Sequence, residues 1–218
     1  ATKTLYDRRN GQTYGIVKAR DGNCWMADNL NIINMTISAD DSDFTSGTFT
    51  IPATSNWNTN DNSNALVHTA SGVGSYATSD TSYYGQQYYN WCSAVAKAPC
   101  ADTSQVTTSI CPKNWKLPPD GNSSTNYTYA KLFNSYGYTA GSQFVNSTDI
   151  LGFTKYYGVW IYGDARESGQ GSYIHYWQTT PVTDSIAYTL YLHQNSIDPQ
   201  CADEAKGFGF SARCVLRN

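Results

Sequence analysis

Six cysteines, at positions 24, 92, 100, 111, 201 and 214, set the terms on which this 218-residue chain folds. None belongs to a Cys-x-x-Cys pair, and the three histidines, His68, His175 and His193, stand apart from them along the chain. Zinc sites use close cysteine pairs, usually with histidine, so the spacing predicts no metal. An even count without metal spacing predicts disulfides and an oxidising, extracytoplasmic setting. Many connectivities are open to six cysteines. The preferred set joins Cys111 to Cys214 as a long-range clasp and Cys92 to Cys100 as a local loop. Cys24–Cys201 is then left by elimination.

Charged residues make up only 14% of the chain, so solubility must come from Asn, Ser, Thr, Gln and Gly. The 18 Tyr and 6 Trp exceed what a core of this size needs. Such rings give large, stiff contact area at low entropic cost, and their polar ends ask for partners. A net charge of −3 without a basic stripe argues against a nucleic-acid partner, and none is expected. No apolar run approaches the ~20 residues of a membrane span. The opening Ala-Thr-Lys-Thr fits a processed N-terminus.

Along the chain, residues 4–20 read as a β-hairpin turned at Asn10-Gly11, and Asn23 to Met26 as a further short strand. Residues 31–82 are rich in Asn, Ser, Thr, Asp and Gly and read as a long loop excursion with a short strand at Thr48–Ile51. Tyr84, Tyr88, Trp91, Cys92 and Val95 recur at helical spacing, which predicts a helix over 83–97 ended by Pro99. A second helix is expected from Tyr127 to Tyr136. Strands are expected at 151–153, 158–162, 172–179, 187–192 and 208–216, with a polar turn at 163–171. The whole predicts one α+β domain over 1–218, two helices packed on a mainly antiparallel twisted sheet, with long ordered loops and an insertion at about 31–82.

The common reactive motifs are absent: no Gly-x-Ser-x-Gly elbow, no His-Glu-x-x-His, no phosphate loop. Asp164, Glu167, Asp184, Asp198, Asp203 and Glu204 offer carboxylates, but no spacing selects a glycosidase pair. Asp40, Asp41 and Asp43 could hold Ca²⁺, but the pattern does not match an EF-hand loop, a solvated acidic turn is the preferred reading, and no cofactor is called for. The series Asn58, Asn60, Asn62 and Asn64 reads as polar loop. The best candidate surface is the aromatic band 156–177, where flat rings stack on sugars or side chains while polar neighbours orient the ligand. Its contact residues are Tyr156, Tyr157, Tyr162, Asp164, Arg166, Tyr173, His175 and Tyr176; Trp160 and Trp177 are assigned to the core.

Arg9-Asn-Gly-Gln-Thr-Tyr14, Asn23-Cys-Trp-Met-Ala-Asp-Asn-Leu30, Tyr88-Tyr-Asn-Trp91, Cys111-Pro-Lys-Asn-Trp-Lys-Leu-Pro118, Tyr176-Trp-Gln-Thr-Thr180 and Gly209-Phe-Ser-Ala-Arg-Cys-Val215 follow one another in order. This series resembles the blocks of the Fibrobacter succinogenes major paralogous domain family, with Asn114 where that family has Gly and Gln178 where it has Ser. The resemblance implies an exported bacterial surface protein with a C-type-lectin-like fold. The resulting expectation is a non-enzymatic adhesion or recognition domain at the cell surface, binding a glycan or protein. The rival expectations are a self-assembling subunit of a filament or coat, and a polysaccharide-active enzyme.

Overall fold

The computed structural model describes residues 3–71, 85–120, 127–137, 151–153, 159–161, 166–169, 172–193 and 196–216. Strands β1 (Lys3–Asp7) and β2 (Gln12–Lys18) form the expected hairpin, with Gly11 at φ +75° in its turn. That left-handed conformation is open to glycine at no steric cost. The hairpin tip is pinned by Arg9, which pairs with the buried Asp7 and donates to the Ile110 carbonyl 2.8 Å away. Strand β3 (Cys24–Met26) follows antiparallel to β2.

The excursion holds more order than its composition suggests. It contains β4 (Met35–Ser38), β5 (Ser42–Asp43), β6 (Thr48–Ile51) and β7 (Val67–Thr69), of which only β6 was expected. β4 pairs with β6 as a hairpin. Between strands, asparagines latch the loop to distant chain: Asn60 Oδ1 accepts from Gly207 N, Asn62 Nδ2 donates to Asp184 O, and Trp57 Nε1 donates to Gly207 O at 2.6 Å. Residues 72–82 of the excursion lie outside the described residues.

The long helix expected over 83–97 is a strand followed by one helical turn. β8 (Gln87–Tyr89) pairs with β7, and α1 (Trp91–Ala94) starts at Asn90, whose side chain accepts from Ser93 N. Spacing of three and four residues suits a helix. Tyr88 and Tyr89 are also good strand formers, and the pairing with Val67–Thr69 decides between the two. β9 (Ser109–Pro112) and β10 (Trp115–Lys116) come next. Asn114 between them sits at φ +71°, a conformation that Asn and Gly tolerate best, so Asn meets the demand that glycine would.

α2 (Tyr129–Ser135) is the second expected helix, capped by Thr128, whose side chain accepts from Lys131 N. Residues 151–153 form a turn where a strand was expected. Gly152 lies at φ +67°, and a Cβ there would stand 2.4 Å from the Ala27 carbonyl oxygen. β11 (Val159–Ile161) pairs with β12 (Arg166–Ser168), a strand inside the expected polar turn. β13 (Tyr173–Pro181), β14 (Ile186–His193) and β15 (Ser196–Ala205) form a three-stranded antiparallel sheet. The expected last strand shrinks to β16 (Val215–Leu216), which lies between β3 and β10 in the five-stranded sheet β1-β2-β3-β16-β10. Described strands are antiparallel and the two helices are short, so the class is α+β.

Alternation along the central strands divides the interior in two. Met26, Trp177, Ala187 and Cys214 face one apolar cluster, while Trp25, Ile174, Tyr176, Leu190, Leu192 and Val215 face the other. A strand buried on both faces places successive residues in opposite cores. The polar ends of the large rings tie distant segments together. Trp91 Nε1 donates to Gln178 O, Trp177 Nε1 to Tyr89 O, and Tyr89 Oη to Leu30 O and Ile32 O.

Two of the three expected disulfides are present. Cys92 is joined to Cys100, and Cys111 to Cys214 across 103 residues. The third pairing is corrected: Cys24 and Cys201 are both thiols. Cys24 lies on β3 of the five-stranded sheet and Cys201 on β15 of the three-stranded one, so the fold assigns them to separate sheets. An even count does not oblige every cysteine to pair.

Candidate functional site

The site grows out of the register of β13, β14 and β15. His175 faces Tyr191, and Thr189 faces Cys201. Residues opposite each other, and those two apart on one strand, share a face of the sheet. His175, Thr189, Tyr191 and Cys201 are therefore neighbours on one side. Two irregularities in the β14–β15 pairing then alter β15. Between Tyr191↔Asp198 and Thr189↔Cys201, and again between Thr189↔Cys201 and Ala187↔Glu204, β15 carries one more residue than β14. Such a bulge re-aims the side chains that follow it. The second one sets Glu204, rather than Asp203, opposite Ala187 and so onto the face of His175 and Cys201.

The donor atoms of His175, Cys201 and Glu204 all lie within 4.8 Å of one another. Glu204 Oε1 is 3.5 Å from His175 Nδ1 and 3.8 Å from Cys201 Sγ. Asp203, exposed at the edge, accepts from the Cys201 thiol at 3.0 Å. Thr189 Oγ1 holds the imidazole at Nδ1, 3.1 Å away, while Phe210 stacks on the ring with centroids 4.6 Å apart. Burial drives the His175 pKa down to about 3, opposed by the Asp203 charge. Burial, then the neighbouring Asp203 charge, pushes Glu204 up to about 7. Burial and the adjoining carboxylates raise Cys201 far above an ordinary thiol. A neutral imidazole, a protonated thiol and a carboxyl that holds its proton more tightly than usual thus share one half-covered corner.

A row of rings leads away from this corner. Tyr191 lies 4.7 Å from His175, 6.0 Å from Tyr173 and 6.4 Å from His193, centroid to centroid. Tyr173, Tyr191 and His193 are half-buried, so each keeps part of its ring accessible. On the other side, Phe208 stacks on Phe210.

Of the contact residues expected from the sequence, Tyr156, Tyr157, Tyr162 and Asp164 lie outside the described residues. Tyr173 takes its place in the ring row, and Arg166 is half-buried on β12. His175 is buried beneath Phe210 and Tyr191 rather than presented at the surface. Tyr176 is corrected: it is fully buried in the second core, where its hydroxyl donates to Phe153 O and meets Arg213. Odd and even residues of β13 face opposite cores, and Tyr176 falls in the second. Trp177 is core, as expected.

Of the acidic turn, Asp40 and Asp41 are exposed and only Asp43 enters the interior. Asp43 is buried, bonds to Lys116 and accepts from Ser109 Oγ at 2.7 Å, while Asp41 accepts from Ser42 Oγ. Burial raises the Asp43 pKa, opposed by those bonds. The turn borders an open depression of about 310 Å³ beside Thr107, Lys113 and Lys116. The histidines stand apart from the cysteines along the chain, but the fold brings His175 to Cys201 across β14. Sequence reasoning missed Cys201, Asp203, Glu204, Tyr191 and His193 as members of a site. No spacing signals them, because 26 residues and a bulged register separate His175 from Cys201.

No family model matches the chain, and neither a curated protein nor a solved structure does.

Proposed function

We propose that this chain is an extracytoplasmic, non-enzymatic recognition domain that binds its ligand on the ring row of the β13–β14–β15 sheet. The observation that carries this reading is the contiguous run of half-exposed rings, Tyr173, Tyr191 and His193, held on hydrogen-bonded strands. Flat rings beside the carboxylates of Asp203 and Glu204 suit a glycan, since ring faces stack on sugar C–H surfaces and carboxylates accept from sugar hydroxyls. The two disulfides support an oxidising compartment. The ordered motif series adds the family of bacterial surface proteins, and with it a C-type-lectin-like fold, to the proposal.

A glycan array probed with the disulfide-intact chain tests it. The expected result is a defined glycan class whose binding falls at least tenfold in both Tyr173→Ala and Tyr191→Ala while the thermal midpoint stays within a few degrees of the parent. Binding that survives both substitutions overturns the assignment of the face. A protein ligand competing at the same tyrosines would keep the face and replace the glycan.

A further inference from the structure

We propose that His175, Cys201 and Glu204 form a binding site for a zinc-class divalent transition-metal ion, with a fourth position open on the side of Asp203. The three donors differ in kind, one imidazole nitrogen, one sulfur and one carboxylate oxygen, and that mixture selects the metal. Ca²⁺ and Mg²⁺ take oxygen ligands, whereas Zn²⁺ and its neighbours accept nitrogen and sulfur.

The spacing agrees with tetrahedral coordination. Zinc bonds of about 2.0 Å to nitrogen or oxygen and about 2.3 Å to sulfur place an N–O ligand pair about 3.3 Å apart and an S–O pair about 3.5 Å apart. The corresponding separations here are 3.5 Å for His175–Glu204 and 3.8 Å for Cys201–Glu204. The third pair, His175–Cys201, lies within 4.8 Å, so closing on an ion requires sulfur and imidazole to approach by up to about an ångström and Nδ1 to give up its bond to Thr189 Oγ1.

Two further observations point the same way. The bulge after Cys201 is what turns Glu204 onto the histidine face, and bulges concentrate where a strand must re-aim a side chain for a site. Outer contacts already orient the imidazole, which Phe210 and Tyr191 clamp, and Asp203, which accepts the Cys201 S–H, is placed to take up the proton that leaves when the thiolate binds an ion. Such second-layer contacts orient ligands in established metal centres. The site also gives Cys201 a reason to stay unpaired beside two disulfides, because a metal-bound thiolate is withdrawn from disulfide exchange. Three protein donors with an open fourth position describe a centre that can accept water or a ligand group. The ring row starts at this centre, but the proposal does not depend on what the row binds.

Co²⁺ titration of the reduced-thiol, disulfide-intact chain is the test, with Zn²⁺ as competitor. The expected result is one equivalent bound, with a near-ultraviolet thiolate-to-cobalt band and the strong visible bands of a tetrahedral ion, both bleached by Zn²⁺. Cys201→Ser removes the thiolate band, Cys24→Ser retains it, and Glu204→Gln weakens binding by roughly a hundredfold, at least as much as loss of a second-layer contact. In the unsubstituted chain, Zn²⁺ slows alkylation of Cys201 and leaves Cys24 unchanged, a readout independent of how the variants fold. No thiolate band in the parent chain, a band that survives Cys201→Ser, or alkylation of Cys201 unaffected by Zn²⁺ would each overturn the site.

Discussion

The two disulfides close loops of very different length, and this makes their contributions separable. Cys111–Cys214 spans 103 residues and Cys92–Cys100 spans 8. In the chain-entropy treatment, closing the first loop restricts the unfolded chain by about 4.7 kcal/mol and the second by about 2.5 kcal/mol. All four cysteines are fully buried, so replacing either pair by alanine removes two sulfurs from a packed interior and leaves comparable voids. The difference between the double variants therefore isolates loop length. For a chain of this size, Cys111→Ala/Cys214→Ala should lower the thermal midpoint by roughly 10–20 °C and Cys92→Ala/Cys100→Ala by roughly 5–10 °C. Urea unfolding of both variants under non-reducing conditions should show the long-loop variant less stable by about 2 kcal/mol. An equal or larger loss in the Cys92/Cys100 variant would refute the reasoning. It would show that Lys206, which donates to the Cys100 and Asp102 carbonyls over the Trp91 ring, ties the short loop to the core more tightly than loop entropy allows.

Other outcomes follow from individual contacts. Arg213 is buried, donates to Leu151 O and Gly152 O and meets Asn29 and Tyr176; Arg213→Ala should cost more than about 3 kcal/mol by urea unfolding, since several charge-assisted bonds are lost together. Gly152→Ala should destabilise by roughly 2–4 kcal/mol, because a Cβ at this positive-φ position would collide with the Ala27 carbonyl. A midpoint unchanged by Gly152→Ala would show that the 151–153 turn does not pack on β3's exit. Glu167 is buried, which raises its pKa, but bonds from His68, Ser71 N and Ser71 Oγ outweigh burial and hold it below the ordinary 4.5. A depressed carboxylate stabilises the fold above its unfolded-state value and loses that contribution as pH falls through the folded value. Stability should thus drop below about pH 4.5 in the parent and drop less in Glu167→Gln, as followed by thermal melts across pH. Identical acid profiles would contradict the assignment.

The elements legible in the sequence are those whose alternation is undisturbed. β1, β2, β13 and β14 show clean period-2 patterning or an Asn-Gly turn, and the structure has them. β15 escaped because Ser196–Ala205 contains Pro199, several polar residues and two bulges, which together erase the period. β4, β5 and β7 are too short to stand out of a polar background, and long-range partners define them. The segment around Trp91 carried a helical spacing that the fold uses in only one turn, since Tyr88 and Tyr89 are claimed by β7. The disulfide clasp and the local loop could be read from cysteine positions, but elimination failed for Cys24 and Cys201. The His175–Cys201–Glu204 corner was illegible because a register irregularity, which no residue pattern announces, places Glu204 there.

Counting thiols in the native chain goes most directly to the heart of this account, in which four cysteines staple the scaffold and two remain free, one of them in a metal-binding corner. Alkylation in denaturant without reductant, followed by peptide mass mapping, should find two labelled cysteines, Cys24 and Cys201, and linked peptides for Cys92–Cys100 and Cys111–Cys214. Six labelled cysteines, or a peptide joining Cys24 to Cys201, would contradict it.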